Sequence, residues 1–274
     1  AAYMMVSSED VRAGLRDIDV LAILIAAICH DLDHPGLNND FLAKSQHPLA
    51  SKYNKPILES HHCELTRQIL QDCEKRCDIL GGMSEEDRRE LLDLILKGIM
   101  ATDMAVHKQI CEMLQEKADD VGIAIEKGIQ LEKPSFDVNN VEDRVNLIRS
   151  VVHAADLSGQ GMEPEVAYEF GRGVLTEFHV QYGLEMEKSL ELSGYMKSLE
   201  TPAGQAKAQL GFITFVVVPL WGSLGTIFPS IAEVSSRVEN RMTEIDLDNL
   251  DEWGGLAPNL KPHPSAPETK PSGS

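Results

Sequence analysis

The sequence predicts an all-α fold. Apolar residues repeat at helical spacing along most of the chain, helix start and stop signals bracket those repeats, and the strand-helix alternation of an α/β protein is missing. In chain order, Val20 to Cys29 is apolar on every side, hence a buried helix, and Pro35-Gly36 breaks the chain direction a few residues beyond it. Ser84 with Asp87 reads as a capping box, and Leu91, Leu92, Ile95, Leu96, Ile99 and Met100 then share one face of a helix of about five turns. Asn140, with Glu142 and Asp143 behind it, is an N-cap with acids in the first turn, where the helix dipole favours them. Glu163-Pro164 opens another helix, and Thr201 before Pro202 a further one, with Pro at the first helical position. Ile213 to Val218 could pass for a strand, but it lies inside an apolar pattern from Ala206 to Leu220 that reads as a buried helix bent near Pro219.

The helical pattern occupies residues 1–245. From Asp246 onward come acids and then Pro258, Pro262, Pro264, Pro267 and Pro271 among Ser, Gly and Lys. Such a segment buries too little apolar surface to offset its ordering entropy, so 246–274 is expected to be a disordered tail.

Of the chain's 274 residues, 25 are Lys or Arg and 44 are Asp or Glu, a formal net charge of -19 that repels phosphate backbones and anionic lipid. Nucleic acid is therefore not the expected partner. The Val20–Cys29 run is about half of what a bilayer crossing needs, so membrane insertion is not expected either. The five cysteines, Cys29, Cys63, Cys73, Cys77 and Cys111, are few and odd in number, as for reduced thiols in a cytoplasmic protein. Cys73 and Cys77 lack a CxxC partner and read as helical thiols, not zinc ligands.

The informative feature is acids at the wrong ends of apolar helices. His30-Asp31-Leu32-Asp33-His34 comes directly after the Val20 run, Asp156 ends Leu147 to Ala155, and the Ser84 helix arrives at Thr102-Asp103. Each acid at a negative helix end costs about 0.3–1 kcal/mol, and more when buried without a partner. A divalent cation reverses that sign. Asp31 and Asp156 with the imidazole of His30 suit zinc, and a second, oxygen-rich site suits magnesium or manganese. Two such ions a few ångströms apart would clamp a phosphoryl oxygen and make a bridging water a hydroxide at neutral pH, which points to phosphoester hydrolysis.

These residues resemble the class I cyclic nucleotide phosphodiesterases over about Ile18 to Asn240. His30-Asp31-Leu32-Asp33-His34-Pro35-Gly36 with Asn39, Phe41 and Leu42 is similar to the family's HDxDHPGxxNxFL, and Leu58-Glu59-Ser60-His61-His62 to its LExHH. Ala101-Thr102-Asp103-Met104 resembles its ATDM turn, His153 to Ser158 its HxADLS, and Gln209-Leu210-Gly211-Phe212-Ile213 with Pro219-Leu220-Trp221 its QxGFI and PLW. The resemblance implies an all-α, HD-domain-like catalytic domain that hydrolyses the 3′,5′-cyclic phosphodiester of cAMP or cGMP. It implies that His30, Asp31 and Asp156 ligate zinc, that Asp31 bridges to the second ion, and that His34, Glu59, Thr102 and Asp103 hold that ion's waters. Gln209 would hydrogen-bond the purine edge, with Phe212 stacked on its face opposite Val174. The expected partner is the small cyclic nucleotide, and homodimerisation through the full-length protein is a further expectation. No catalytic role is assigned to His61 or His62, and His107, His179 and Gly183 are left structural.

The sequence departs from the family in three places. The HNxxHAxDV motif, which supplies the general-acid histidine and a further zinc ligand, is not in these 274 residues, and Ala1 to Leu21 holds no histidine. The chain therefore reads as lacking the family's first helices, and alone it is expected to be impaired by about 10²–10⁴-fold. Gly159 stands where the family often has an Asn, so the choice between cAMP and cGMP is not legible. Gln181-Tyr182-Gly183-Leu184 replaces the QGDxE stretch. Two other functions compete: a broader HD-type nucleotide phosphohydrolase, and a catalytically inactive nucleotide-sensing module.

Overall fold

The structure, a computed structural model, describes residues 1–71, 78–130, 134–245 and 260. The tail expected over 246–274, Leu260 apart, and the thiols of Cys73 and Cys77 lie outside the described residues. All regular structure among the described residues is helical.

Two short helices, α1 (Ala2–Ser7) and α2 (Glu9–Ala13), bury Met5, Val6 and Val11 against the main core. The apolar run forms α3 (Asp17–Cys29), and its start is fixed by charge. The backbone N–H of Arg16 donates to Asp19 Oδ2 at 2.8 Å and its guanidinium to Oδ1 at 2.9 Å. Arg144 approaches the same carboxylate at 3.2 Å. Asp19 has no exposed surface, so this ion cluster is part of the core.

Beyond the turn at the end of α3, helices α4 (Asn39–Lys44), α5 (Pro48–Lys52) and α6 (Ile57–Gln71) close over a small core of Phe41, Leu42, Ile57 and Leu58. Next comes α7 (Glu85–Met100), whose cap differs from the expected box. Ser84 Oγ accepts from the Asp87 N–H at 3.1 Å, but the Asp87 carboxylate takes the Ser84 hydroxyl at 2.7 Å, not its backbone N–H. A 3₁₀ turn, Met104–Val106, leads into α8 (His107–Lys127). Asn140 caps α9 (Val141–Asp156) as expected, accepting from the N–H groups of Glu142 and Asp143. Helices α3, α7 and α9 pack on one another, and Gly98 is why they can. A Cβ there would stand 3.0 Å from Ala26 Cβ and 3.3 Å from Val152 Cγ2.

The 24-residue α10 (Pro164–Glu187) starts at Pro164 as expected. Thr201 caps α11 (Pro202–Phe212) by accepting from Gly204 N–H at 3.1 Å. A π-turn over Ile213–Val217 joins it to α12 (Val218–Ile227), and α13 (Ala232–Glu244) completes the order. The irregularity thus lies just before Pro219. Proline lacks an N–H and crowds the carbonyl four residues back, and widening the preceding turn accommodates both. The stretch Pro202–Ile227 is long and apolar enough by length and composition to cross a membrane. Here α12 packs against α8 and α13, with Leu220, Trp221 and Leu224 fully buried.

Candidate active site

The C-terminal ends of α3, α7 and α9 meet the N-terminal half of α6 around a cavity of about 520 Å³. Asp31, His34, Glu59, Thr102, Asp103 and Asp156 line it, so six residues singled out in the sequence come together from four separate segments. The far wall is α10, through Glu177, Phe178 and Gln181. His30 stands beside it, its Nε2 3.3 Å from Asp31 Oδ2 and 3.2 Å from Asp156 Oδ1. Its Nδ1 lies 3.0 Å from the Ala27 carbonyl, the acceptor that orients the ring with Nε2 toward the acids.

Charge explains the titration of this corner. Burial disfavours the charged ring of His30, but Asp156 and Asp31 outweigh it and raise its pKa to about 10. Hydrogen bonding to His30 holds Asp31 below the ordinary carboxylate range. Burial pushes Glu59 up against the opposing bond from Asn39 Nδ2, which donates to Oε2 at 2.9 Å. Lys55 is the cation among the described lining residues; it is two-thirds exposed and sits 3.5 Å from Asp40.

Two groups of ligand atoms have every member within 4.8 Å of the others: His30, Asp31 and Asp156, and Asp31, His34 and His62. Asp31 belongs to both. Nitrogen with oxygen in the first set fits zinc, and both sets fit a divalent ion. His62 is the residue that the sequence pattern left unassigned. It is buried, its Nδ1 is 2.7 Å from the Leu32 carbonyl, and its Nε2 faces Asp31 at 3.8 Å. Its signal was the second histidine of Leu58-Glu59-Ser60-His61-His62. His61 turns the other way, to Asp33 Oδ2 at 2.9 Å and the Tyr53 hydroxyl at 3.2 Å. Asp33 itself is left-handed, φ +59°, a conformation that aspartate adopts more readily than most residues with a Cβ.

The departure at Gln181 leaves α10 unbroken, and two polar side chains one turn apart, Gln181 and Glu185, face each other. Gln181 Nε2 donates to Glu185 Oε1 at 3.0 Å, and its Oε1 accepts from the Asn38 N–H at 2.9 Å. Glu185 in turn accepts from the Ser193 N–H and hydroxyl, both at 2.7 Å. The network braces the loop that carries His34.

Gln209, Phe212 and Val174 are not among the cavity's lining residues. Gln209 is buried in α11, Phe212 packs partly buried on the main core, and Val174 is exposed on α10, one turn before Phe178.

The family described as 3′5′-cyclic nucleotide phosphodiesterase matches residues 1–238. The mouse (Mus musculus) high affinity cGMP-specific 3′,5′-cyclic phosphodiesterase 9A is 31% identical over 253 residues, covering 91% of this chain and 44% of the relative. The mouse 3′,5′-cyclic-AMP phosphodiesterase 4C is 28% identical over 265 residues, covering 96% of this chain and 36% of the relative. The chain thus spans less than half the length of these relatives. The crystal structure of the phosphodiesterase domain of the RhoPDE fusion protein from the choanoflagellate Salpingoeca rosetta superposes with a TM-score of 0.75 at 29% identity, over 87% of this chain and 71% of that one.

Proposed function

The chain belongs to the 3′,5′-cyclic nucleotide phosphodiesterase family, and from that premise we propose that it hydrolyses the 3′,5′-cyclic phosphodiester of cAMP, cGMP or both to the 5′-monophosphate. The observation that carries the reading is the convergence of Asp31, Glu59, Asp103 and Asp156 in one cavity whose single described lining cation, Lys55, is turned largely to solvent. By itself that cavity has the wrong sign for a cyclic phosphate. Cations are therefore the precondition for the substrate to enter.

His30, Asp31 and Asp156 would hold one ion, zinc by the donor set. Asp31 would be shared with a second, magnesium or manganese, whose waters fall to His34, Glu59, Thr102 and Asp103. When bound, such a pair supplies the Lewis acidity that polarises a phosphoryl oxygen and makes water nucleophilic at neutral pH. The protein's part is to hold its donors still. The Ala27 carbonyl orients His30, the Leu32 carbonyl orients His62, and Asn39 fixes Glu59. Gln209 offers donor and acceptor to a purine edge, with Phe212 and Val174 on its faces. Residues 1–245 are the catalytic unit of this reading, in a cytoplasmic protein.

Asp31→Ala removes a donor from both ligand groups and should abolish cyclic nucleotide hydrolysis, assayed with zinc and magnesium on cAMP, cGMP and 5′-AMP. Unchanged turnover would end the two-ion reading. Cleavage of 5′-AMP as fast as of either cyclic nucleotide would favour the broader phosphohydrolase instead.

A further inference from the structure

We propose that His107 and His153 form a positioning pair that ties the turn carrying Thr102 and Asp103 to the helix end carrying Asp156. The consequence for metal binding rests on the two-ion reading; the geometry does not.

His153 sits in the last turn of α9, fully buried, three residues before Asp156. His107 opens α8 directly after the 3₁₀ turn that Asp103 caps through the Ala105 N–H. His107 Nδ1 lies 2.9 Å from His153 Nε2, with ring centroids 5.2 Å apart. Two imidazole nitrogens at that distance share a single hydrogen, so one ring donates and the other accepts. His107 is held from its other side by Cys111, one turn along α8, whose Sγ is 3.4 Å from Nε2. His153 Nδ1 makes no well-formed hydrogen bond, although the Ala101 carbonyl acts on the ring. Burial, with the neighbouring His107, pushes His153 down to about 4, and burial lowers His107 as well. The pair is therefore neutral.

Joining α8 to α9 does not require this. Two apolar side chains would fill the space without desolvating two imidazoles. What the nitrogens add is direction. A hydrogen bond fixes the axial register of α9 against residues 101–107, whereas apolar contact tolerates sliding. Thr102 and Asp103 stand on one side of that link and Asp156 on the other, and all three line the same cavity.

The test is hydrogen exchange at residues 101–107 and 153–158 in metal-free protein, alongside Mn²⁺ titration. His107→Phe keeps the ring's bulk without the donor, and His107→Asn places an amide N–H near Nδ1. In the Phe variant exchange should accelerate about tenfold or more in both segments, and Mn²⁺ affinity should fall by about 10–100-fold, the range for groups that orient metal ligands. The Asn variant should stay within about threefold of the parent on both readouts. Unchanged protection at 153–158 in the Phe variant, or an Asn variant no better than Phe, overturns the proposal. If Phe prevents folding, His153→Gln against His153→Met makes the same comparison from the other ring. A parent chain that binds no Mn²⁺ removes the two-ion reading, while the exchange result still decides the pair.

Discussion

Asp19 and the acids of the cavity belong to one fold, yet their surroundings differ: Asp19 and Glu59 are buried, whereas Asp31 and Asp156 are exposed. Asp19, without exposed surface, meets Arg16 at 2.9 Å and Arg144 at 3.2 Å. Asp31, Glu59, Asp103 and Asp156 share a cavity whose lining cation, Lys55, is two-thirds exposed and beside Asp40. The difference teaches what each group of carboxylates is for. Where an acid is there for architecture, the chain supplies its counter-charge. In the cavity an imidazolium proton on His30 provides part of it, and under the proposed two-ion reading bound cations would supply the remainder.

The largest effect that would sharpen this contrast is in the architectural cluster. Arg144→Met leaves Asp19 buried with one guanidinium, and a broken buried pair costs about 3–5 kcal/mol. The urea midpoint should fall accordingly, with Mn²⁺ affinity retained below the transition. A midpoint within error of the parent would mean that Asp19 needs only Arg16.

A smaller effect should appear as pH is varied without metal. His30 is raised from its ordinary value of 6.5 to about 10, so its contribution is complete below about 6.5 and is lost as pH climbs toward 10. His153 is lowered to about 4 by burial, so its contribution is complete above about 6.5 and is lost as pH falls toward 4. Depressed carboxylates such as Asp31 steepen the acid limb. Metal-free Tm should therefore peak near pH 6.5, and a divalent ion, which replaces the His30 proton, should flatten the alkaline side. A metal-free Tm that keeps rising to pH 9 would break the comparison.

The smallest effect tests whether the cavity's acids repel one another. Asp103→Asn keeps a side-chain oxygen for the Ala105 N–H but removes a charge. Metal-free Tm should rise, by the equivalent of about 0.3–1 kcal/mol, while Mn²⁺ binds more weakly. A fall in metal-free Tm would show that Asp103 is already compensated.

Much of this was legible in the sequence because it is local. Asn140 and Thr201 cap the helices that they were expected to cap, since capping depends on residues two or three positions away. Acids at helix ends marked the cavity for the same reason. The unread parts join distant segments. The approach of His62 to Asp31 and of His107 to His153 depends on how helices pack, and no spacing rule encodes that. The Gln181 stretch looked like a loss because its middle had changed, while Gln181 and Glu185, the two residues that bond, had not. The π-turn was invisible because Ile213 to Val217 has the composition of any buried helix.

Gly98, Ala26 and Val152, which press together where α7, α3 and α9 touch, each lie four residues before a residue of the site: Thr102, His30 and Asp156. The three helices behave as legs of a tripod whose lashing point is one turn below its tips. The spread of the tips is thus dictated by the thickness of that knot, and a single methyl group at residue 98, remote from any substrate, would re-aim them all.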